Sequence, residues 1–138
     1  MTTELIPLCT ATATLSDPIF VGDGPKGMRL IFEITDVVVA GERLTATMIG
    51  KAGADWITLV AGTGTLDVRV AVQTDDGAII FVQYTGRTDI SAGLDAPKYV
   101  APTFETSDPR YAWLNNVQAV GKGFTEGNTI TYEWFEVR

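Results

Sequence analysis

Apolar and polar side chains alternate with a period of two along most of the chain, and no long window repeats at the helical period of 3.6. The clearest run is Leu66-Asp67-Val68-Arg69-Val70-Ala71-Val72-Gln73. In a strand, Leu66, Val68, Val70 and Val72 share one face, and Asp67, Arg69, Ala71 and Gln73 share the other. The next run divides less cleanly, with Ile80, Val82 and Tyr84 against Ile79, Phe81, Gln83 and Thr85. Two apolar faces suit a strand that is covered on both sides or lines a pocket. Asp75-Asp76-Gly77 lies between these runs, and Asp-Gly between β-rich segments is a strong hairpin signal.

The same reading predicts strands at Leu5–Leu15, Met28–Thr35, Arg43–Ile49, Trp56–Val60, Thr65–Thr74, Ala78–Arg87, Thr103–Thr106 and Thr129–Val137. Residues 88–103 form one long irregular segment, of the kind that often serves as a lid or binding loop. About eight or nine short antiparallel strands in 138 residues form either a sandwich or a barrel. Gly50, Gly53, Gly86, Gly121 and Gly123, within or beside strands, favour bent strands and hence a single closed all-β barrel over residues 1–138. Eight strands enclose room for packed side chains or for one small ligand.

Composition narrows the chemistry. The chain has no histidine, which removes the commonest general base, the middle member of a Ser/His/Asp triad and the commonest transition-metal ligand. Its single cysteine, Cys9, excludes an internal disulfide and any paired-cysteine zinc motif, and reads as a small apolar group. Seventeen acidic against ten basic residues leave a net charge of −7 with scattered cations, unsuited to nucleic acid. No apolar run approaches a membrane span, and the N-terminus lacks a signal-peptide pattern. A cytoplasmic protein is expected, with no nucleic-acid or membrane partner, no metal and no cofactor. Any acid–base work falls to carboxylates, Arg, Lys, Tyr or the main chain.

Candidate groups fall in three places. Asp55-Trp56 opens a strand, so the carboxylate is a base at a barrel rim with the indole stacking on a ligand, or else a turn cap beside a core Trp. Arg69, with Asp67, either points inward as a cation for a carboxylate, enolate or phenolate, or outward as a surface ion pair. The segment from Phe104 to Asn115 gathers Glu105, Asp108, Arg110, Tyr111 and Trp113, which is equally the material of a pocket and of a packed plug. A Glu105 lifted by apolar surroundings is a candidate base, with Arg110 steadying an oxyanion. Trp56, Tyr84, Phe104, Tyr111, Trp113 and Asn115 are candidate walls. Asp75-Asp76 reads as turn chemistry.

The ordered set Gly27-Met28-Arg29, Gly53-Ala54-Asp55-Trp56, Leu66-Asp67-Val68-Arg69, Thr74-Asp75-Asp76-Gly77-Ala78, Tyr84-Thr85-Gly86-Arg87, Phe104-Glu105-Thr106 and Pro109-Arg110-Tyr111-Ala112-Trp113-Leu114-Asn115 resembles the domain-of-unknown-function family 3237. Lys51-Ala52 stand where that pattern is richer in Pro and Gly. The resemblance implies a small closed barrel of lipocalin-like shape without a generally assigned reaction. Together these features lead to a barrel that binds a small aromatic or polyketide-like molecule and carries out cofactor-free proton transfer, such as isomerisation, cyclisation, elimination or hydration. Non-catalytic carriage of a ligand, or a structural oligomer with a filled core, is the alternative; a homo-oligomer is expected in either case.

Overall fold

The computed structural model describes residues 1–138, and the chain forms eleven strands and two short 3-10 turns. The strands are β1 (Leu5–Leu15), β2 (Ile19–Gly24), β3 (Gly27–Ala40), β4 (Ala46–Met48), β5 (Ala54–Val60), β6 (Thr63–Thr74), β7 (Ile79–Asp89), β8 (Lys98–Val100), β9 (Thr103–Glu105), β10 (Ala119–Glu126) and β11 (Thr129–Val137). The 3-10 turns span Ile90–Ala92 and Ala112–Asn116. No helix is long and apolar enough to cross a membrane.

Eight strands close on themselves in the order β1, β3, β5, β6, β7, β8, β10, β11 and back to β1, every pair antiparallel. Closure removes the free edges that an open sheet would expose. Strands β4 and β5 share the gap between β3 and β6, and β8 and β9 both pair with β7. Strand β2 folds back on the first half of β3 as an outer flap.

The expected bounds of β1 and β11 match the structure, whereas β3 runs on to Ala40 and β2 and β10 were not anticipated. Strand β10 carries two glycines and little apolar alternation, so its pairing comes from its neighbours and not from its own pattern. The irregular segment 88–103 contains the Ile90–Ala92 turn and the short strand β8.

Alternation decides the interior. Leu66, Val68, Val70 and Val72 of β6 all point inward, as do Ile80, Val82 and Tyr84 of β7. The register pairs Val68 with Tyr84, Val70 with Val82 and Val72 with Ile80, so the two inner faces form one continuous apolar wall. An aromatic cluster of Tyr84, Phe104, Tyr132 and Trp134 fills the middle of the barrel with edge-to-face pairs at centroid separations of 5.6 to 6.0 Å. Glycine makes room for it. Gly121 pairs with Trp134, and a Cβ there would come within 2.5 Å of the indole Cδ1.

The two ends of the barrel differ. At the end marked by the β6–β7 turn, the Ala112–Asn116 turn drives Leu114 into the interior with no residual exposure. The Asn115 side chain clasps Thr106 there, accepting from its N–H and donating to its carbonyl, each at 2.9 Å. The opposite end stays open.

This packing predicts a sharp contrast between adjacent isoleucines on β7, since Ile80 is fully buried and Ile79 is 54% exposed. Ile80→Ala should lower unfolding free energy by about 2–5 kcal/mol, and Ile79→Ala should stay within about 0.5 kcal/mol. Chemical denaturation followed by tryptophan fluorescence measures both, and equal losses would refute the inward assignment of Ile80.

Candidate active site at the open end of the barrel

At the open end the side chains stop short of filling the interior and leave a cavity of about 400 Å³. Its wall is assembled from the ends of many strands: Leu15 of β1, Leu30 and Phe32 of β3, Ile57 and Leu59 of β5, Leu66 of β6, Thr88 of β7 and Ile130 of β11. Leu94, 79% exposed, stands at the rim in the segment that follows β7. The volume and the mostly apolar lining suit one small organic molecule.

Asp55 is the polar group set furthest in along β5. Alternation puts Asp55, Ile57 and Leu59 on the inner face, and Asp55 lies four residues further from the open end than Leu59. It is only 6% exposed, and Oδ1 accepts the backbone N–H of Asp67 at 3.0 Å. Burial costs the carboxylate its hydration and pushes its pKa up to about 7, partly offset by the Asp67 N–H. The Tyr84 and Tyr132 phenols sit close enough to feel its charge. Burial first, then the neighbouring Tyr132 phenol and after it this carboxylate, hold Tyr84 well above the ordinary tyrosine value. Tyr132 likewise stays protonated, chiefly through burial. Near neutral pH the interior therefore offers one carboxyl that exchanges its proton and, near it, two phenols that keep theirs.

A second polar group, Lys98 at the start of β8, also lines the cavity and is only 8% exposed. Its Nζ donates to the carbonyls of Leu94 at 2.8 Å and Ala96 at 3.0 Å. Desolvation pulls its pKa down, while Asp95 opposes that shift. Thr88, directly across from Lys98 in the β7–β8 register, donates its hydroxyl to Pro97 and ties the same segment down.

The remaining sequence candidates lie elsewhere. Trp56 follows Asp55 on the strand and so faces outward, where the Arg69 guanidinium stacks 4.4 Å from its ring centroid. Arg69 is thus the outward alternative, exposed on the barrel wall and away from the cavity. Asp67 is half-buried and contributes its N–H to Asp55. Glu105 is exposed on β9, while its neighbour Phe104 is buried in the aromatic cluster.

Arg110, Tyr111, Trp113 and Asn115 all belong to the closed end. There Arg110 pairs with Asp108 at 2.8 Å and with Asp76 at 3.2 Å, and the Tyr111 hydroxyl donates to Asp76 at 3.0 Å. The Arg43 guanidinium lies 5.1 Å from the Trp113 ring. The segment 104–116 is a plug, and of the ten sequence candidates only Asp55 lines the cavity; Tyr84 stands two strands from it in register, across Val68. An interior pocket walled by Arg69 and Tyr111 is not what this barrel holds.

Lys98, Thr88, Phe32 and Tyr132 were not singled out from sequence. The available signal for Lys98 was a lone cation in the long segment already suspected of binding. Cys9 is half-buried at a bulge in β1, and desolvation pushes its thiol to about 12 against the pull of Arg43, so no reactive thiolate forms there.

Known proteins bear on this geometry. The fold is shared with a β-barrel-like protein from Acinetobacter baumannii AYE, at TM-score 0.89 and 28% identity over 100% of this chain and 98% of that one. It is shared too with an enzyme from Penicillium herquei, at TM-score 0.77 and 31% identity over 99% and 96% of the two chains. The hydroalkoxylation enzyme phnH of Penicillium herquei is 37% identical over 99 residues, which are 68% of this chain and 56% of that protein. A family model described as "Protein of unknown function (DUF3237)" matches residues 3–137. With its ordered motifs, closed barrel and matched length in agreement, this chain belongs to the DUF3237 family.

Proposed function

We propose that the protein is a cofactor-free proton-transfer catalyst acting on a small aromatic or polyketide-like molecule held in the open end of the barrel, with Asp55 as the group that moves the proton. The observation that carries this reading is a carboxyl buried in a mostly apolar cavity with its pKa near 7. A general acid–base is most effective when its pKa lies near working pH, and a histidine-free chain has to obtain such a group by burying a carboxylate. The neutral phenols of Tyr84 and Tyr132 supply hydrogen-bond donors near it.

The relative named for hydroalkoxylation supports this chemistry. In that reaction an O–H adds across a C=C bond: the oxygen loses its proton and bonds one alkene carbon, and a proton is delivered to the other carbon. Nothing is oxidised or reduced, and one carboxyl that accepts and returns a proton is sufficient. A cytoplasmic location and a homo-oligomeric state go with this reading, and the exposed Ile19, Phe20 and Val21 of β2 offer an apolar contact surface for the latter.

With an alkenyl phenol as test substrate, Asp55→Asn should lower kcat by about 10²–10⁴-fold while binding is retained. The wild-type rate should bend near pH 7. An unchanged rate in the variant removes Asp55 from the chemistry, and tight binding without turnover in the wild type favours a carrier.

The same carboxyl should leave a mark on stability. Its folded-state pKa is raised, so ionising it costs more in the folded chain than in the unfolded one. Its stabilising contribution is complete below about pH 4, falls as pH rises and is lost above about pH 7, a change of about 4 kcal/mol for a three-unit shift. Asp55→Asn should therefore gain on the wild type by about 2–4 kcal/mol between pH 4 and pH 8, measured by denaturant unfolding at each pH. Parallel profiles would show that Asp55 is not buried as described.

A further inference from the structure

We propose that Lys98 and Thr125 form an oxyanion cradle in the open cavity, so that the molecule bound there presents an acidic oxygen, a phenol or the enol of a 1,3-dicarbonyl, and is held as its anion. This rests on the reading of the cavity as a small-molecule site and specifies the class of molecule.

The first observation is an unfilled donor. A lysine ammonium has three N–H groups, and two of them are taken by the carbonyls of Leu94 and Ala96. No carboxylate lies within ion-pair distance of Nζ; the four ion pairs of the protein all use arginines. Lys98 is the only cation lining the cavity, and the carboxyls that share that lining are Asp17, Asp55 and Asp95. A buried cation with a spare donor beside an apolar space is costly unless an anion completes it.

The second observation is independent. Thr125 Oγ1 is buried without any hydrogen-bond partner, and Thr125 lines the same cavity. Register brings the two residues together. Lys98 of β8 pairs directly with Gly123 of β10, and Thr125 lies two residues beyond Gly123 on the same face, which makes it the diagonal cross-strand neighbour of Lys98. Both Lys98 and Thr125 then point into the cavity from adjacent strands, each with a hydrogen to donate. One acceptor oxygen between them satisfies both.

Around the barrel, β8 stands three strands from β5, which carries Asp55, so the cradle and the proton-moving carboxyl face the cavity from different walls. A phenol or enol bound in this way passes its O–H proton to the Asp55 carboxylate or, through the open mouth, to solvent water, and keeps its oxygen on Lys98 and Thr125. The charge that develops meets donors that are already in place.

The probe pair is 4-nitrophenol, whose phenolate is coloured, and its methyl ether 4-nitroanisole, which keeps the ring and nitro group but has a methyl group in place of the acidic proton. The wild-type protein should bind 4-nitrophenol in its phenolate form, with the phenolate band appearing at a pH where the free compound is mostly protonated. It should bind 4-nitroanisole about ten- to a hundredfold more weakly. Lys98→Met should abolish the band and lose the same about ten- to hundredfold, and Thr125→Val about tenfold. Equal affinity for the two compounds with no phenolate band in the wild type overturns the cradle and leaves the cavity reading standing. Failure of the wild type to bind either compound overturns the cavity reading and the cradle with it.

Discussion

A closed sheet of eight strands has to be filled, and the way this one is filled determines everything else about it. Four aromatic rings occupy the middle of the barrel and require glycines opposite them; Gly121 lies under Trp134 and Gly123 under Tyr132. With the centre taken, the interior divides into a closed end stoppered by Leu114 and an open end that the side chains leave partly empty. Asp55 is stranded above that aromatic cluster with one backbone hydrogen bond, and its raised pKa follows from position alone.

Many features that look like chemistry in the sequence serve the shell. Arg69 over Trp56 is an outer-wall cation–π contact. The Arg110, Asp108, Asp76 and Tyr111 group ties the plug to the β6–β7 turn, and the shared carboxylate of Asp76 is held below its usual range chiefly by the Thr74 hydroxyl, with Tyr111 and Arg110 adding to it. These exposed pairs each contribute little energy, but they define where the chain crosses the closed end. The groups proposed to act on a ligand are fewer and less conspicuous: Asp55, Lys98 and Thr125 in the cavity lining, with the buried phenols of Tyr84 and Tyr132 near the aspartate.

The fold was readable because alternation is a local property. Leu66 to Val72 declare their inner face without reference to any other strand, and the Asp-Gly step announces the hairpin that follows. Strand β10 was unreadable because Gly121 and Gly123 face the rings of Trp134 and Tyr132 on the paired strand, so glycine stands where an alternating pattern would carry an apolar side chain. The site was only partly readable for a related reason. A polar residue on an inner face breaks the rule by which inner faces are recognised, so Asp55 and Trp56 read in sequence as parts of one pocket although alternation sends the two neighbours to opposite faces. The cluster 104–116 drew attention by density, yet whether such a cluster plugs a barrel or lines its mouth depends on which end it reaches, and that is set by the topology of β7, β9 and β10.

The missing histidine has a practical consequence for observing the protein at work. With the lone thiol pushed to about 12 and the two interior phenols held protonated, Asp55 is the interior carboxyl whose charge changes around neutrality, beside a Lys98 whose pKa burial pulls down. Calorimetric binding heats that vary with the ionisation enthalpy of the buffer would count the protons exchanged when a ligand enters, and the usual background from imidazole groups would be absent. The barrel thus carries its own built-in proton meter, located at the floor of the cavity.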